Sequence, residues 1–393
     1  MKKILVLGAG IYQVPLIHKA KELGCYVIVC TIPGNYPGIS LADEVYYEDT
    51  TDKEACLRVA KNNNISAVCT AGTDVALPSL GYIVDQLGLK GPSEKAALYS
   101  SNKLLMKEAL MKDKVLTASF QKVCSISECK MAAEEIGYPV ILKVVDSSGS
   151  RGIKLVREKE SIEFAYNQVF QFTKKDYIIV EKFLEGEEFG AQAFIYSGKV
   201  YFTMPHSDEV YYGDTGVPIG HSVPLSEDLI PFYIDIHQES VKAIRSLGID
   251  NAAVNIDFIL MNGKPYVLEV GARCGATGLA ELVSLYYGID YYKIIIQTAL
   301  GELNVAEIDN INPKSAATAL LITSDKSGKI ISYNNVNDAK LYDFSMDYNI
   351  GDHVNSFKTG PDRLGQVIVY GNTVKETKSL AHEIVKRVDL QIK

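Results

Sequence analysis

The chain opens on an apolar run at residues 3–7, a Gly8-Ala9-Gly10 turn, and apolar positions at helical spacing over 14–23. Gly24 ends that helix and a second apolar run follows at 26–30, so the opening reads as a βαβ unit. A further helix is predicted at 53–61, a strand at 66–70, and a helix at 75–87 after Ala71-Gly72-Thr73-Asp74, with Asp74 read as its cap and a substrate contact as the alternative. Gly91-Pro92-Ser93 closes this first domain near residue 92.

Helical spacing resumes from 94 to about 112, punctuated by Ser100-Ser101-Asn102, with Lys103 just past the break. A strand at 120–123 and a helix at 128–136 follow, ended by Gly137 and Pro139. The next run, YPVILKVV, is apolar except for Lys143, which stands at an edge or is aimed at an anion. After it, Asp146 to Gly152 is a loop of small residues containing Ser147, Ser148 and Gly149. Such a loop between strands can wrap phosphate through its N–H groups; it is not a Walker loop, since no GKS/T follows, and a plain hairpin is the alternative. A helix at 161–172 leads to a strand at 177–181 that ends in Glu181, and Glu187 and Glu188 follow around Gly186. Residues 201–224 are rich in glycine, proline and histidine, so His206 and His221, which lack metal-like spacing, read as turn or loop histidines. A long amphipathic helix is predicted at 227–247.

The stretch NIDFILMNGKPYVLEVGARCGATG, residues 255–278, reads as two short strands joined by an Asn262-Gly263 turn. Asp257 and Glu269 interrupt these apolar runs. Buried carboxylates need a partner or a metal, and two on adjacent strands suit a shared hard cation such as Mg²⁺; the alternative is a pair of solvated edge-strand acids. Gly271, Gly275 and Gly278 flank Arg273 in a loop built for close approach. Two helices split by Gly288 follow, and from about residue 310 the pattern is strand-rich before a final helix at about 373–387.

Composition narrows the classes. Of 393 residues, 47% are hydrophobic and 22% charged, which gives ample core for two or three domains. The net charge of −8 and pI near 5.4 argue against a nucleic-acid partner. No apolar run reaches the roughly 18 residues a membrane span needs. The start lacks a cleavage-like region, and the seven cysteines form no CxxC pair, so a cytoplasmic protein is expected. The first turn invites a dinucleotide reading, but the signal is weak, because the third glycine and the acid after the second strand are both missing.

The ordered series Lys103, Lys143 with its Ser/Gly loop, Glu181-Lys182-Phe183, Glu188, Asp257 and Glu269 resembles the ATP-grasp superfamily over nearly the whole chain. GAGIYQVPLI, TAGTDVALP, VPIGHSVP, EVGARCGATG and TGPDRLGQVIVYG look most like its carbamoyl-phosphate-synthase-like and L-amino-acid-ligase-like members. The resemblance implies an α/β and α+β architecture. A Rossmann-like domain would span 1–92, the ATP-grasp domain 93–309 with a lid at about 117–185, and a small α+β domain 310–393. It implies that Lys103 and Lys143 touch ATP phosphates and that residues 147–152 (Ser147, Ser148, Gly149 and Gly152 among them) cover those phosphates. Glu181, Lys182 and Phe183 would meet the adenine, Glu188 the ribose, Asp257 and Glu269 would bind Mg²⁺ (or Mn²⁺), and Arg273 the substrate. Many relatives carry E-x-N-x-R where this chain has Glu269-Val-Gly271-Ala-Arg273, so the usual third metal ligand is absent.

The implied activity is an ATP-dependent carboxylate–amine ligase working through an acyl phosphate. Alternatives are carboxyphosphate or ribosylamine chemistry, as in carbamoyl phosphate or purine synthesis, and a catalytically weak ATP-binding regulator. The expected partners are small-molecule carboxylate and amine substrates, with a homodimer left open.

Overall fold

The apolar runs of the first domain become four parallel strands, β1 (Lys3–Leu7), β2 (Tyr26–Thr31), β3 (Glu44–Tyr47) and β4 (Ala67–Cys69), ordered β3-β2-β1-β4. These coordinates are a computed structural model that describes residues 1–146, 152–212 and 216–393. Burial on both faces explains why β1 and β2 read as unbroken apolar runs.

A second sheet contains β5 (Phe120–Val123), β6 (Val140–Lys143), β7 (Ile153–Val156) and β8 (Ile178–Lys182), ordered β5-β8-β6-β7. The helices Ile126–Ile136 and Ile162–Phe170 cover it, with Cys129, Ala133, Ala165 and Val169 in the shared core.

The largest sheet has eight strands. Its members are β9 (Glu187–Tyr196), β10 (Lys199–Tyr212), β11 (Gly216–Val223), β12 (Ala252–Met261), β13 (Lys264–Gly271), β14 (Ala316–Ile322), β16 (Leu341–Met346) and β18 (Gly365–Gly371). They run in the order β13-β12-β9-β10-β11-β14-β18-β16. The C-terminal strands thus extend the same sheet through the β11–β14 pairing. The strands β15 (Gly328–Ser332), β17 (His353–Val354) and β19 (Gln391–Ile392) form a small outer sheet.

Strand alternation divides the large sheet into two faces. Phe189, Ala191, Val254, Ile256 and Phe258 pack on one face against the helix Tyr233–Ser246, and the Phe189 and Phe258 rings stack 5.2 Å apart. The intervening residues, among them Glu188, Gly190, Gln192, Asn255 and Asp257, point the other way. That face meets the helices Leu279–Tyr287 and Tyr291–Ala299 and the parallel sheet through Phe194, Phe202 and Met204.

Three sequence expectations change. Residues 201–224 form most of β10 and all of β11, so His206 and His221 are strand residues, not loop residues. The helix expected from 227 starts at Tyr233, after a 3₁₀ turn at Ile230–Phe232. The helix after Asp74 begins at Leu77 with Ala76 at its N-cap position, so Asp74 does not cap it. Every cysteine except Cys124 is buried, and none forms a disulfide. Among the described residues no helix is long and apolar enough to cross a membrane.

Gly186 lies where the chain passes from β8 to β9, and a Cβ there would sit 2.0 Å from the Leu260 carbonyl oxygen of β12. Gly186→Ala is therefore expected to lower stability by about 1–3 kcal/mol. Denaturant unfolding reads this, and a wild-type midpoint would show that the passage is not held against β12.

Candidate active site

The strand register gathers the polar face into rows. His206, Gly190, Asp257 and Glu269 lie opposite one another across β10, β9, β12 and β13. One row further along, Gln192 faces Asn255, and Asn255 faces Gly271. Gln192 Nε2 donates to Asn255 Oδ1 at 2.5 Å, Asn255 Nδ2 donates to Asp257 Oδ1 at 2.9 Å, and Gly275 N–H donates to Gln192 Oε1 at 2.8 Å. This chain of amides fixes the Asp257 carboxylate.

Asp257 and Glu269 are direct cross-strand partners, an unfavourable arrangement for two like charges. They resolve it unequally. Burial pushes the Asp257 carboxyl up to about 7, and the charges of Glu269 and Asp208 add to the rise. Burial would raise Glu269 as well, but Lys103, whose Nζ donates to Oε1 at 2.7 Å, holds it below its ordinary value. Two oxygen donors on adjacent strands, one without a full countercharge, fit a hard divalent cation.

A second group forms around the β6 and β8 ends of the other sheet. Lys107 Nζ donates to Glu181 Oε1 at 2.8 Å and to Thr117 Oγ1 at 2.7 Å; Lys143 Nζ stands 3.2 Å from Glu181 Oε2. Lys107 and Glu181 are only 2% and 1% exposed. Glu181 Oε2 is buried and accepts no hydrogen bond, with the Lys143 ammonium beside it. The N–H groups of Lys182 and Phe183 already serve the Ser119 and Pro139 carbonyls, at 2.8 and 3.2 Å. Burial and the nearby Asp208 charge raise the Glu188 carboxyl, against the pull of Lys143. Ser147, Ser148 and Gly149 lie outside the described residues. Gly152 has φ +68°, and a Cβ there would lie 2.6 Å from Val144 Cγ2, so its backbone conformation and the packing of Val144 together favour glycine.

Arg273 Nη2 donates to Asp74 Oδ2 at 2.6 Å. The acid read as a helix cap instead reaches from the first domain to Arg273. Burial opposes the guanidinium charge, and Asp74 more than restores it. A Cβ at Gly271 would lie 2.8 Å from Asp74 Oδ1 and 3.4 Å from Arg273 Cζ, so this pair occupies the space of the missing side chain.

Asp257, Glu269 and Arg273 line a cavity of about 1020 Å³ that also takes in Tyr12 and Asp74 of the first domain and Arg363 near the C-terminus. Lys103 reaches this cavity through Glu269, which also feels the charge of Lys143 from the Glu181 group. Sequence reasoning missed Lys107, although it lies one helical turn after Lys103, and missed Asp208 with its two histidines, His206 and His221, on the same cavity.

A family model described as ATP-grasp domain matches residues 100–277, and one described as L-amino acid ligase C-terminal domain 2 matches residues 320–393. The structure of phosphoribosylglycinamide synthetase from Anaerococcus prevotii is 36% identical, with TM-score 0.84 over 100% of both chains. That of L-amino acid ligase from Bacillus licheniformis is 20% identical, with TM-score 0.83 over 100% of this chain and 98% of the other. Formate-dependent phosphoribosylglycinamide formyltransferase of Prochlorococcus marinus subsp. pastoris is 26% identical over 86% of this chain and 85% of its own.

Lys107→Met would leave Glu181 buried with Lys143 as its one described cation. A loss of about 3–5 kcal/mol is expected, with most of it recovered in Lys107→Met/Glu181→Leu, where no charge is stranded. Unfolding curves of both variants check this, and a single variant of wild-type stability would exclude the pair as a buried ionic contact.

Proposed function

The chain belongs to the ATP-grasp family, and from that membership we propose a ligase that activates the carboxylate of a small amino-acid-like substrate and joins it to an amine. It is an ATP-dependent, ADP-forming ligase; the proposal concerns the substrates and the roles of individual residues. The observation that carries it is the placement of Arg273 on the same cavity as the opposed acids Asp257 and Glu269. A phosphoryl group arriving at the acids and a carboxylate held by the guanidinium would meet there.

In this reading Glu181 accepts from the adenine amino group, Glu188 holds the ribose, and Lys143 contacts phosphate. Lys103 neutralises Glu269 in the free protein and turns to a phosphate oxygen once the acids share a cation. Asp257 and Glu269 would hold Mg²⁺, which supplies charge neutralisation during phosphoryl transfer. Arg273 offers a planar fork that binds both oxygens of a carboxylate and keeps its charge. The resulting acyl phosphate has a good leaving group, and closing out water protects it until the amine attacks. A second reading, with a ribosylamine as the nucleophile, is favoured by the full-length relative at 36% identity, which is named as a phosphoribosylglycinamide synthetase.

An ADP-release screen of amino-acid pairs, and of phosphoribosylamine with glycine, tests the choice when products are read by mass spectrometry. Amide products from amino-acid pairs are expected; product from the ribosylamine alone would transfer the assignment to the second reading. Arg273→Lys keeps the charge and loses the fork. A fall in kcat/KM of about ten- to hundredfold is expected, with ATP binding intact. Full activity in a destabilised variant would make Arg273 structural.

A further inference from the structure

The cavity holds a cluster that none of these roles uses. His221 of β11 pairs with Asp208 of β10, and His206 lies two residues before Asp208 on the same strand face. The Nδ1 atoms of His206 and His221 both lie 2.7 Å from one oxygen, Asp208 Oδ1. A carboxylate only accepts, so both rings present Nδ1–H to it, and each neutral ring then carries its lone pair on Nε2.

The two lone pairs differ in access. His206 Nε2 is sealed and makes no hydrogen bond. Its ring lies across Gly190, where a Cβ would come within 2.6 Å of Nε2, so glycine at 190 is what lets the ring lie there. His221 Nε2 also makes no hydrogen bond among the described residues, but it is not sealed, and His221 lines the cavity with Asp257, Glu269 and Arg273. Burial holds the His206 ring below its ordinary value against the pull of Asp208, and the two rings outweigh burial to hold the Asp208 carboxyl well below the usual carboxylate range. Asp208 therefore orients rather than takes protons. Metal ligation through both Nδ1 atoms fits less well, because a ligand imidazole donates its other N–H and His206 Nε2 has no acceptor.

We propose that His221 is the base of the amine step, with Asp208 and His206 as positioning residues that fix its tautomer; this rests on the ligase reading above. An amine arrives as R–NH₃⁺ and cannot attack. His221 Nε2 takes one proton and becomes imidazolium. The freed nitrogen lone pair forms the C–N bond at the acyl phosphate carbonyl. The C–O bond to phosphorus breaks with its electron pair on the phosphate oxygen, and the second N–H proton leaves with that phosphate. The imidazolium returns its proton to water when product departs.

The test compares two nucleophiles on one acyl phosphate. Hydroxylamine is already neutral at working pH and needs no base; an amino-acid amine does. In His221→Asn, hydroxamate formation from ATP and carboxylate is expected to persist while amide formation falls about 10²- to 10⁴-fold. Asp208→Asn should show the same split. Nitrogen NMR of the wild-type protein should show His206 and His221 as Nδ1–H tautomers, a reading that needs no variant to fold. Equal loss with both nucleophiles, or loss with neither, overturns the base. Stoichiometric zinc or manganese bound by these side chains overturns the tautomer assignment. A wild-type protein that releases no ADP with any carboxylate overturns the ligase reading and the base with it.

Discussion

Asp257 and Glu269 are held opposite one another by the β12–β13 register, and much of the molecule is arranged around that repulsion. At an effective dielectric of about 20, two unit charges about 5 Å apart repel by roughly 3 kcal/mol. The chain answers with groups drawn from separate segments. Lys103 comes from the first turn of a helix capped by Asn102, where a lysine is disfavoured by the helix dipole and so gains from an acid in front of it. Asn255 and Gln192 come from β12 and β9, and Arg273 from the loop after β13. The residual imbalance, with Asp257 raised and Glu269 lowered, is the electrostatic demand a divalent cation would meet.

Much of this was legible in the sequence because strands alternate their faces, even though one register shift after Asp257 interrupts the alternation in the β12–β13 pair. NIDFILM and KPYVLEV each carry one acid in an apolar run, and such an acid must face either solvent or a site. The ordered lysines and acids carry the resemblance to the family. Residues 201–224 misled because Pro205, Pro218 and several glycines read as turns. In the structure both prolines sit within strands, and a register shift between Glu209 and Val210 absorbs the irregularity. With the strands unseen, the two-residue step from His206 to Asp208 carried no meaning, and His221 had no visible partner.

Lys107 and Asp74 were hidden for another reason. Their partners, Glu181 and Arg273, lie 74 and 199 residues away in sequence. No local pattern separates a buried lysine at the fifth position of a helix from a solvated one. The helix spacing alone puts Lys107 on the face of Lys103, but only the approach of β8 shows that the face is closed.

Gly271 is where family pattern and packing meet. An asparagine there, as in many relatives, would drive its Cβ into Asp74 Oδ1 and crowd the Arg273 guanidinium. Glycine at 271 and the Asp74–Arg273 pair therefore belong together, and restoring the side chain would displace the acid. The chain gives up an oxygen donor beside Glu269 and gains an anchor from the first domain, reinforced by the Gly72 N–H, which donates to the Cys274 carbonyl at 3.2 Å. A charge-assisted hydrogen bond of this kind contributes about 1.5–3 kcal/mol, enough to hold a guanidinium in one orientation. Asp74 holds Arg273 through Nη2 and the Cys274 carbonyl holds it through Nη1, at 3.3 Å, while Nε is buried and without a partner. The first domain thus sets the orientation of the Arg273 guanidinium in the cavity.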